Sequence, residues 1–501
     1  MLKSERELGL TATVVLALGG AIGFEIFVLL DYAFYELAGA NLVIAVLMAG
    51  IVNLFIMLSY CELGASIPEL GGEYTYVKVA YGGFIAFVSG CFRWLASVFV
   101  AALAAVCFTR QLGYLLQIAV PMYADTVFQR APLIAVIVVL FMAALEIKGT
   151  RRSGSAIVFA VLAIFAIFIA VAPKYELIPM DSILVQIPEG ADGILRAVVY
   201  IFPMFFGMRA VIAAAAKIRN PGKNIPKGIL LTAVLVTLLY FAVAYIAVSV
   251  VPRGDSTQEA EVPFLNLAAE RIMPGIGGVM IAVGGIVACL SALGTSLAVQ
   301  SSIARGMSRD GYLPRALLST HRRFGTPYVA VAAGSAFVAI LSFSGGVESL
   351  GYAASFGSLV VFSLVNLSLL RLRKKKPYME RPFKTPMYPF VPLAGIAMTI
   401  ILLAFPVISR DTNAVQALTS SVGLTALTVL TYYLRMIGRQ RLQIAVGGIG
   451  VSIGVSLALL AVFGEGTSVS TFFPWAFRYI LIAVSLVTVL AGLLNMIVDS
   501  G

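Results

Sequence analysis

The chain has 501 residues, of which 60% are hydrophobic and only 12% charged, and its formal net charge is +11. About a quarter of the residues in an ordinary soluble domain are charged, so this composition excludes a water-soluble globular protein. A positive charge can indicate nucleic-acid binding, but in a membrane protein the topology accounts for it, and no nucleic-acid partner is expected.

Repeated apolar stretches predict about 14 membrane-spanning helices. Each stretch approaches the roughly 20 residues that cross the hydrocarbon of a bilayer, and none alternates as a β-barrel strand would. Lipid leaves the backbone to satisfy its own hydrogen bonds, which favours helices. The protein is therefore predicted to be an all-α polytopic membrane protein in contact with lipid. The predicted spans are 10–32, 39–61, 84–108, 131–147, 154–172, 194–216, 228–251, 275–304, 327–345, 350–370, 388–408, 415–435, 443–463 and 477–497.

The positions of the basic residues predict the orientation. When the loops are assigned alternately to the two sides, most of the 35 Lys and Arg residues fall on one side, including the run 371–376. Cytoplasmic loops carry such an excess, so both termini are predicted to be inside and the protein to lie in the cell membrane. The short charged N-terminal segment has no cleavage site, which predicts a retained first helix. The four cysteines lie in or next to apolar segments and are predicted to be small buried hydrophobes.

Two spans contain residues that weaken a helix at their midpoints. The first span has the run 19–23, Gly-Gly-Ala-Ile-Gly, and the sixth has Pro203 followed by Gly207. The two spans are five helices apart and therefore cross the membrane in opposite directions, as an inverted pair of five-helix repeats requires. Glycines in membrane helices can simply allow close packing, but two interruptions in matching positions favour a binding site.

Five motifs resemble those of the amino acid, polyamine and organocation (APC) transporter superfamily. They occur in the family's order, at 20–27, 62–74, 220–226, 308–314 and 381–383, reading GAIGFEIF, ELGASIPELGGEY, NPGKNIP, SRDGYLP and RPF. The resemblance implies a LeuT-like 5+5 inverted-repeat transporter core over residues 1–385, followed by four additional C-terminal helices over residues 386–501.

The resemblance also implies the activity of a secondary active transporter, a permease for amino acids or related small amines. A polyamine or cationic amine exchanger and a transporter-like nutrient sensor remain alternatives. An enzyme is not expected, because the sequence lacks a phosphate-binding loop, a nucleophile elbow and clustered metal ligands. No cofactor is predicted, and the sequence does not indicate an oligomeric state.

The substrate is predicted to bind at the two interruptions. The family's first interruption is small and neutral, whereas this chain has Phe24 and Glu25 there, and Arg209 follows the second interruption. Buried charges in a membrane are costly unless paired, so an ion pair between Glu25 and Arg209 is predicted, with Arg93 as the alternative cation. Two roles stay open: a structural clasp, or Glu25 binding a substrate amine and Arg209 its carboxylate. The predicted substrate-binding residues are Ala21, Ile22, Gly23, Phe24, Glu25, Phe202, Phe205, Phe206, Gly207 and Arg209.

The coupling ion is predicted to be sodium in preference to a proton or to ion-free exchange. Many members of the family couple to protons through a lysine on the fifth helix, but this chain has Ala163 and Ile164 near that position. The eighth span instead carries adjacent hydroxyls. A site of five oxygens without a carboxylate suits sodium, although such hydroxyls often bond their own helix. The candidate sodium ligands are Gly19, Ile22, Ala292, Thr295 and Ser296.

Overall fold

The part of the chain that the structure describes is helical. The computed structural model describes residues 7–69, 71–120, 129–149, 154–175, 177–179, 187–251, 262–343 and 346–436, and the β pairing within them is an isolated bridge between Leu8 and Ile218. The α-helices are α1 (Leu10–Ala21), α2 (Glu25–Tyr32), α3 (Leu42–Ser66), α4 (Glu73–Tyr81), α5 (Gly83–Ala119), α6 (Ala131–Lys148), α7 (Gly154–Val171), α8 (Ile187–Ile201), α9 (Arg209–Ala213), α10 (Pro221–Val250), α11 (Phe264–Ile272), α12 (Gly277–Arg309), α13 (Tyr328–Phe343), α14 (Val347–Lys375), α15 (Phe390–Ile408) and α16 (Thr412–Met436).

The helices confirm a polytopic all-helical protein. Every predicted span up to 415–435 coincides with one or two of them, while 443–463 and 477–497 lie outside the described residues. Among the described residues, nine segments are long and apolar enough to cross a membrane. One of these, Leu10–Ser66, has 57 residues and contains α1, α2 and α3. About 20 residues cross the hydrocarbon, so this segment is long enough for two crossings. The count of 14, the five-plus-five repeat and the division at residue 385 stay predictions.

Helix α5 lies at the centre of the bundle. It packs along α12 and α14 and also contacts α6 and α13. Its middle, residues 101–105, reads Ala-Ala-Leu-Ala-Ala and is fully buried, and such small side chains let neighbouring helices approach closely. The four cysteines are free and buried, which confirms their prediction as small hydrophobes. On the other side of the bundle, α10 packs along α3 and α1.

The motifs at 62–74 and 381–383 meet in a buried ionic joint. Glu62, at the end of α3, is fully buried and accepts two hydrogen bonds from Arg373, from Nε at 2.8 Å and from Nη2 at 2.5 Å. Arg381 Nε lies 3.3 Å from Glu62 Oε1, and the Thr385 amide donates to Glu62 Oε2 at 2.7 Å. One carboxylate thus ties α3 to the end of α14 and to the segment that leads into α15.

A second joint connects α4 to the end of α12. Lys78 Nζ lies 2.7 Å from Asp310 Oδ1, and the Tyr74 hydroxyl donates a hydrogen bond to Asp310 Oδ2. Partial burial disfavours ionisation of Asp310. The hydrogen bonds from Lys78 and Tyr74 nevertheless hold the pKa of this carboxyl below its ordinary value.

We expect Asp310→Asn to lower the melting temperature slightly at neutral pH. A depressed folded-state pKa contributes stability above the unfolded-state pKa of the carboxyl, and that stability is lost as pH falls through the folded-state pKa. Wild type and variant should therefore differ at neutral pH and converge in acid. Because the pair is partly exposed, the difference should not exceed about 1 kcal/mol. A difference that persists unchanged in acid would contradict this assignment.

Candidate functional site

The first interruption lies where the sequence predicts it. Helix α1 ends at Ala21 and α2 begins at Glu25, and Ile22 has φ −82° and ψ 79°, outside the helical region. The Gly23 amide donates to Ala21 O at 2.9 Å instead of to the Gly19 carbonyl four residues back. The Gly19 carbonyl is thereby released from the regular helical pattern. The hydroxyl of Tyr240 on α10 donates to Ala21 O at 2.5 Å and supports the broken end.

The second interruption also lies where the sequence predicts it. A tighter 3₁₀ helix, Phe202–Met208, separates α8 from the short helix α9. Pro203 lies in its first turn, where its missing N–H removes a donor from the helical pattern. The α-helix is therefore replaced by 3₁₀ geometry over seven residues in the middle of the span.

The two interruptions touch each other through their backbones. A Cβ atom placed on Gly207 would overlap the Gly20 carbonyl and the Ala21 nitrogen, and one placed on Gly20 would overlap the Gly207 carbonyl. A side chain at either position would force the segments apart. Glycine is therefore required at both positions for the interruptions to meet.

A cavity of about 200 Å³ opens at this contact. The predicted substrate-binding residues that line it are Ile22, Gly23, Glu25, Phe206, Gly207 and Arg209. Ala21, Phe24, Phe202 and Phe205 are not among its lining residues, and all four are at most 1% exposed. Phe202 and Phe205 of the second interruption pack into an aromatic core, with the Phe202 ring 6.2 Å from that of Phe362 and the Phe205 ring 5.6 Å from that of Tyr240.

The predicted ion pair between Glu25 and Arg209 is wrong. No salt bridge joins these two described residues within 4.0 Å, and Glu73, from the first turn of α4, takes the place of Glu25. Glu73 Oε2 lies 2.9 Å from Arg93 Nε, and its Oε1 lies 3.7 Å from Arg209 Nη1 and accepts from Tyr60 at 2.8 Å. The prediction missed Glu73 because the sequence places it in a loop after the second span, where it is recognisable only as part of a motif.

Glu25 remains without a hydrogen bond at one oxygen. It is 9% exposed, its Oε2 has no hydrogen-bond partner, and it lines the cavity. The carboxylate folds back over Gly23, and a Cβ on that residue would occupy its place. Arg209, 7% exposed, likewise has no hydrogen-bond partner at Nη1. Two opposite charges that line one cavity therefore each retain bonding capacity.

The candidate sodium ligands line the same cavity. Gly19 and Ile22 lie on the first interruption, and Ala292, Thr295 and Ser296 lie on α12. The Thr295 hydroxyl donates to Ser291 O at 2.5 Å, a bond within its own helix. Because the hydroxyl is the donor in this bond, both lone pairs of its oxygen remain available to a cation.

A separate polar cluster lies at the far end of α2, and the sequence analysis did not anticipate it. We call it the Asp31 cluster: Arg110 of α5 lies 3.8 Å from both Asp31 and Glu348, and the Phe264 amide donates to Asp31 at 2.8 Å. It joins α2, α5, α11 and the first turn of α14.

Of the cavity's lining residues, Gly20, Ala213 and Thr295 are exposed. Gly20 belongs to α1, which precedes the first interruption, and Ala213 belongs to α9, which follows the second.

Comparison with known proteins identifies the family. The family model described as "Amino acid permease" matches residues 8–432. The chain belongs to the amino acid permease family. This permease is 29% identical over 417 residues to the branched-chain amino acid permease BcaP of Bacillus subtilis, an alignment that covers 80% of this chain and 88% of the relative. It is 28% identical to the methylthioribose transporter of the same organism (77% and 85% covered) and 27% identical to the vacuolar cationic amino acid transporter 2 of Arabidopsis thaliana (74% and 60%). The permease is a membrane transporter and not an enzyme.

Proposed function

We propose that this permease moves amino acids or related small amines across the cytoplasmic membrane and binds them in the cavity between the two interruptions. The observation that carries the proposal is the backbone contact between Gly20 and Gly207, because it joins two broken helices at one cavity. Broken helices offer polar backbone and helix-end dipoles inside the membrane, where a polar solute otherwise has no partner.

Neutral amino acids with apolar side chains are the preferred substrates. Beside its charged groups, the cavity is lined by small or apolar residues such as Val100, Ile157, Val158 and Ala288. Such a wall favours an aliphatic side chain over a second charged group. The similarity to a branched-chain amino acid permease points in the same direction. Leucine is accordingly the first substrate to test.

Transport proceeds by alternating access in this proposal. We take the cavity to open on the side of α1, where its exposed lining residue Gly20 lies. The basic residues predict that this side is cytoplasmic. In this proposal the Asp31 cluster, which joins α2, α5 and α14, closes the other side, and the resulting state is inward-open. Opening to the outside then requires the Arg110 contacts to Asp31 and Glu348 to break.

Counterflow in proteoliposomes tests the transport activity. Vesicles loaded with unlabelled leucine should accumulate labelled leucine from outside, whereas empty vesicles and protein-free vesicles should not. A channel passes solute without exchange stimulation, and a nutrient sensor binds leucine without flux. Binding without counterflow would therefore contradict the proposal and favour the sensor.

Coupling to sodium is part of the proposal. We expect Thr295→Val combined with Ser296→Ala to remove sodium stimulation of leucine uptake, because the hydroxyl oxygens are the side-chain ligands of the candidate site. Ser301→Ala is the matched control, since Ser301 lies on the same helix and donates to Ala298 O. Uptake by the wild type that responds to a pH gradient and ignores a sodium gradient would contradict sodium coupling.

A cationic amine exchanger is the second candidate function. The buried Glu25 Oε2, which has no hydrogen-bond partner, favours it, and so does the similarity to a cationic amino acid transporter. Putrescine and arginine in the same counterflow assay separate the two candidates. Exchange of putrescine but not of leucine would replace the first proposal by the second.

A further inference from the structure

Two guanidinium groups of the cavity wall, those of Arg93 and Arg209, share one carboxylate. Arg93 and Arg209 share Glu73, which lies 2.9 Å from Arg93 Nε and 3.7 Å from Arg209 Nη1. Glu73 also accepts a hydrogen bond from the Tyr60 hydroxyl at 2.8 Å. A single carboxylate therefore serves two guanidinium groups and a hydroxyl, while Glu25, the acid that lines the cavity, forms no salt bridge with either arginine among the described residues.

Arg209 is held in a fixed orientation with a donor to spare. Its guanidinium carbon lies 4.5 Å from the centre of the Phe206 ring and 5.2 Å from that of Phe362, and its Nε donates to Phe206 O at 3.2 Å. Nη1 is buried without a hydrogen-bond partner. A planar guanidinium positioned in this way is suited to a carboxylate.

Glu25 supplies the complementary negative group at the other interruption. It lies in the first turn of α2, where the helix dipole favours an anion. Its Oε2 is buried, lines the cavity with Arg209 and has no hydrogen-bond partner. The pair is not self-neutralised, because Arg209 turns to Glu73 and Glu25 folds over Gly23.

We infer that the cavity recognises both charges of a zwitterion through side chains, with Glu25 binding the ammonium group and Arg209, next to Arg93, binding the carboxylate. The inference rests on the proposed function and names the chemical class of its substrate. An amino acid supplies a hydrogen-bond partner to both Glu25 Oε2 and Arg209 Nη1, whereas an amine or a carboxylic acid leaves one of these two buried atoms without a hydrogen bond. Selectivity for zwitterions over singly charged analogues follows.

Three ligands with one carbon skeleton test the inference: leucine, isopentylamine, which lacks the carboxylate, and 4-methylpentanoate, which lacks the amine. Calorimetric binding to the purified wild type should be about 10- to 100-fold tighter for leucine than for either analogue, since each analogue loses one charge-assisted hydrogen bond. Glu25→Gln should weaken the binding of leucine and of isopentylamine but leave the binding of 4-methylpentanoate unchanged. Arg209→Gln should weaken the binding of leucine and of 4-methylpentanoate but leave the binding of isopentylamine unchanged. Exposed Glu69→Gln and Arg130→Gln are the charge-matched controls and should change none of the three.

The opposite effects of the two substitutions on the two analogues distinguish substrate recognition by these side chains from a structural role. Equal weakening of all three ligands by Glu25→Gln, or analogues that bind the wild type as tightly as leucine, would overturn the inference while leaving counterflow intact. Wild type that shows no leucine counterflow would instead overturn the proposed function. If Arg209→Gln does not fold, binding of the three ligands to Glu25→Gln decides alone. The three ligands include one that carries only the ammonium group and one that carries only the carboxylate, so a selective loss of ammonium binding is still detectable.

Discussion

Gly207→Ala is expected to abolish leucine uptake. The new Cβ would overlap the Gly20 carbonyl and the Ala21 nitrogen, both of which are backbone atoms that no side-chain rotation can move away. Relief requires the two interruptions to separate, which destroys the shared cavity wall. Overpacking of this kind typically costs about 1–3 kcal/mol even where side chains can adjust, and here the obstacle is backbone. Uptake into proteoliposomes at matched protein content is the measurement.

Gly306→Ala is the matched control for Gly207→Ala. Gly306 lies within α12, and a Cβ there would meet nothing within 4 Å. Alanine is a better helix former than glycine, so this variant should keep full uptake and should not lose stability. Gly20→Ala should reproduce the loss seen at Gly207, because its Cβ meets the Gly207 carbonyl. A Gly207→Ala protein that is folded by size-exclusion chromatography and transports like wild type would disprove the contact.

Glu62→Ala is expected to cause a large loss of stability. The substitution leaves Arg373 and Arg381 without their shared carboxylate and removes the acceptor of the Thr385 amide. Removing one partner of a buried ion pair destabilises by about 3–5 kcal/mol, because the remaining charge is uncompensated. The melting temperature of the purified protein should fall by several degrees or more.

The control for Glu62→Ala is Glu69→Ala, a few residues further along the chain. Glu69 is exposed, so its removal should leave the melting temperature nearly unchanged. The joint at Glu62 lies outside the cavity, so leucine affinity of the protein that remains folded should be unaltered. Equal melting temperatures for the two variants would show that the carboxylate contributes little to the fold.

The positions of the helices and of their interruptions were predictable because each depends on local chemistry. Glycines in the run 19–23 and Pro203 weaken a helix wherever it lies, and apolar length alone defines a membrane span. The orientation of the aromatic side chains in the second interruption could not be predicted from the sequence. The Phe202 and Phe206 rings both pack against Phe362 and the Phe205 ring packs against Tyr240, yet of the three only Phe206 also lines the cavity. Which of these neighbouring aromatic side chains reaches the cavity depends on the packing of the distant helices α10 and α14, which carry Tyr240 and Phe362.

The charge partners were not predictable, because they depend on which distant segments meet. Opposite charges at the two interruptions suggested a pair between Glu25 and Arg209, but the N-terminal turn of α4 brings Glu73 to Arg209 instead. The Asp31 cluster likewise unites residues that are separated by most of the chain. Sequence shows that a membrane-buried charge needs a partner, and only the packing shows which partner it has.

Protection of a single cysteine by substrate tests the central claim, that the cavity between the interruptions is the transport site. The native cysteines are buried, so Ala292→Cys on the cavity wall is the main target for a membrane-impermeant maleimide in inside-out vesicles. Saturating leucine should strongly slow its labelling, whereas Ala316→Cys in the exposed turn Arg315–Leu318, on the side predicted to be cytoplasmic, should react at the same rate with or without leucine. Unchanged labelling of Ala292→Cys in a variant that still transports leucine would contradict the account.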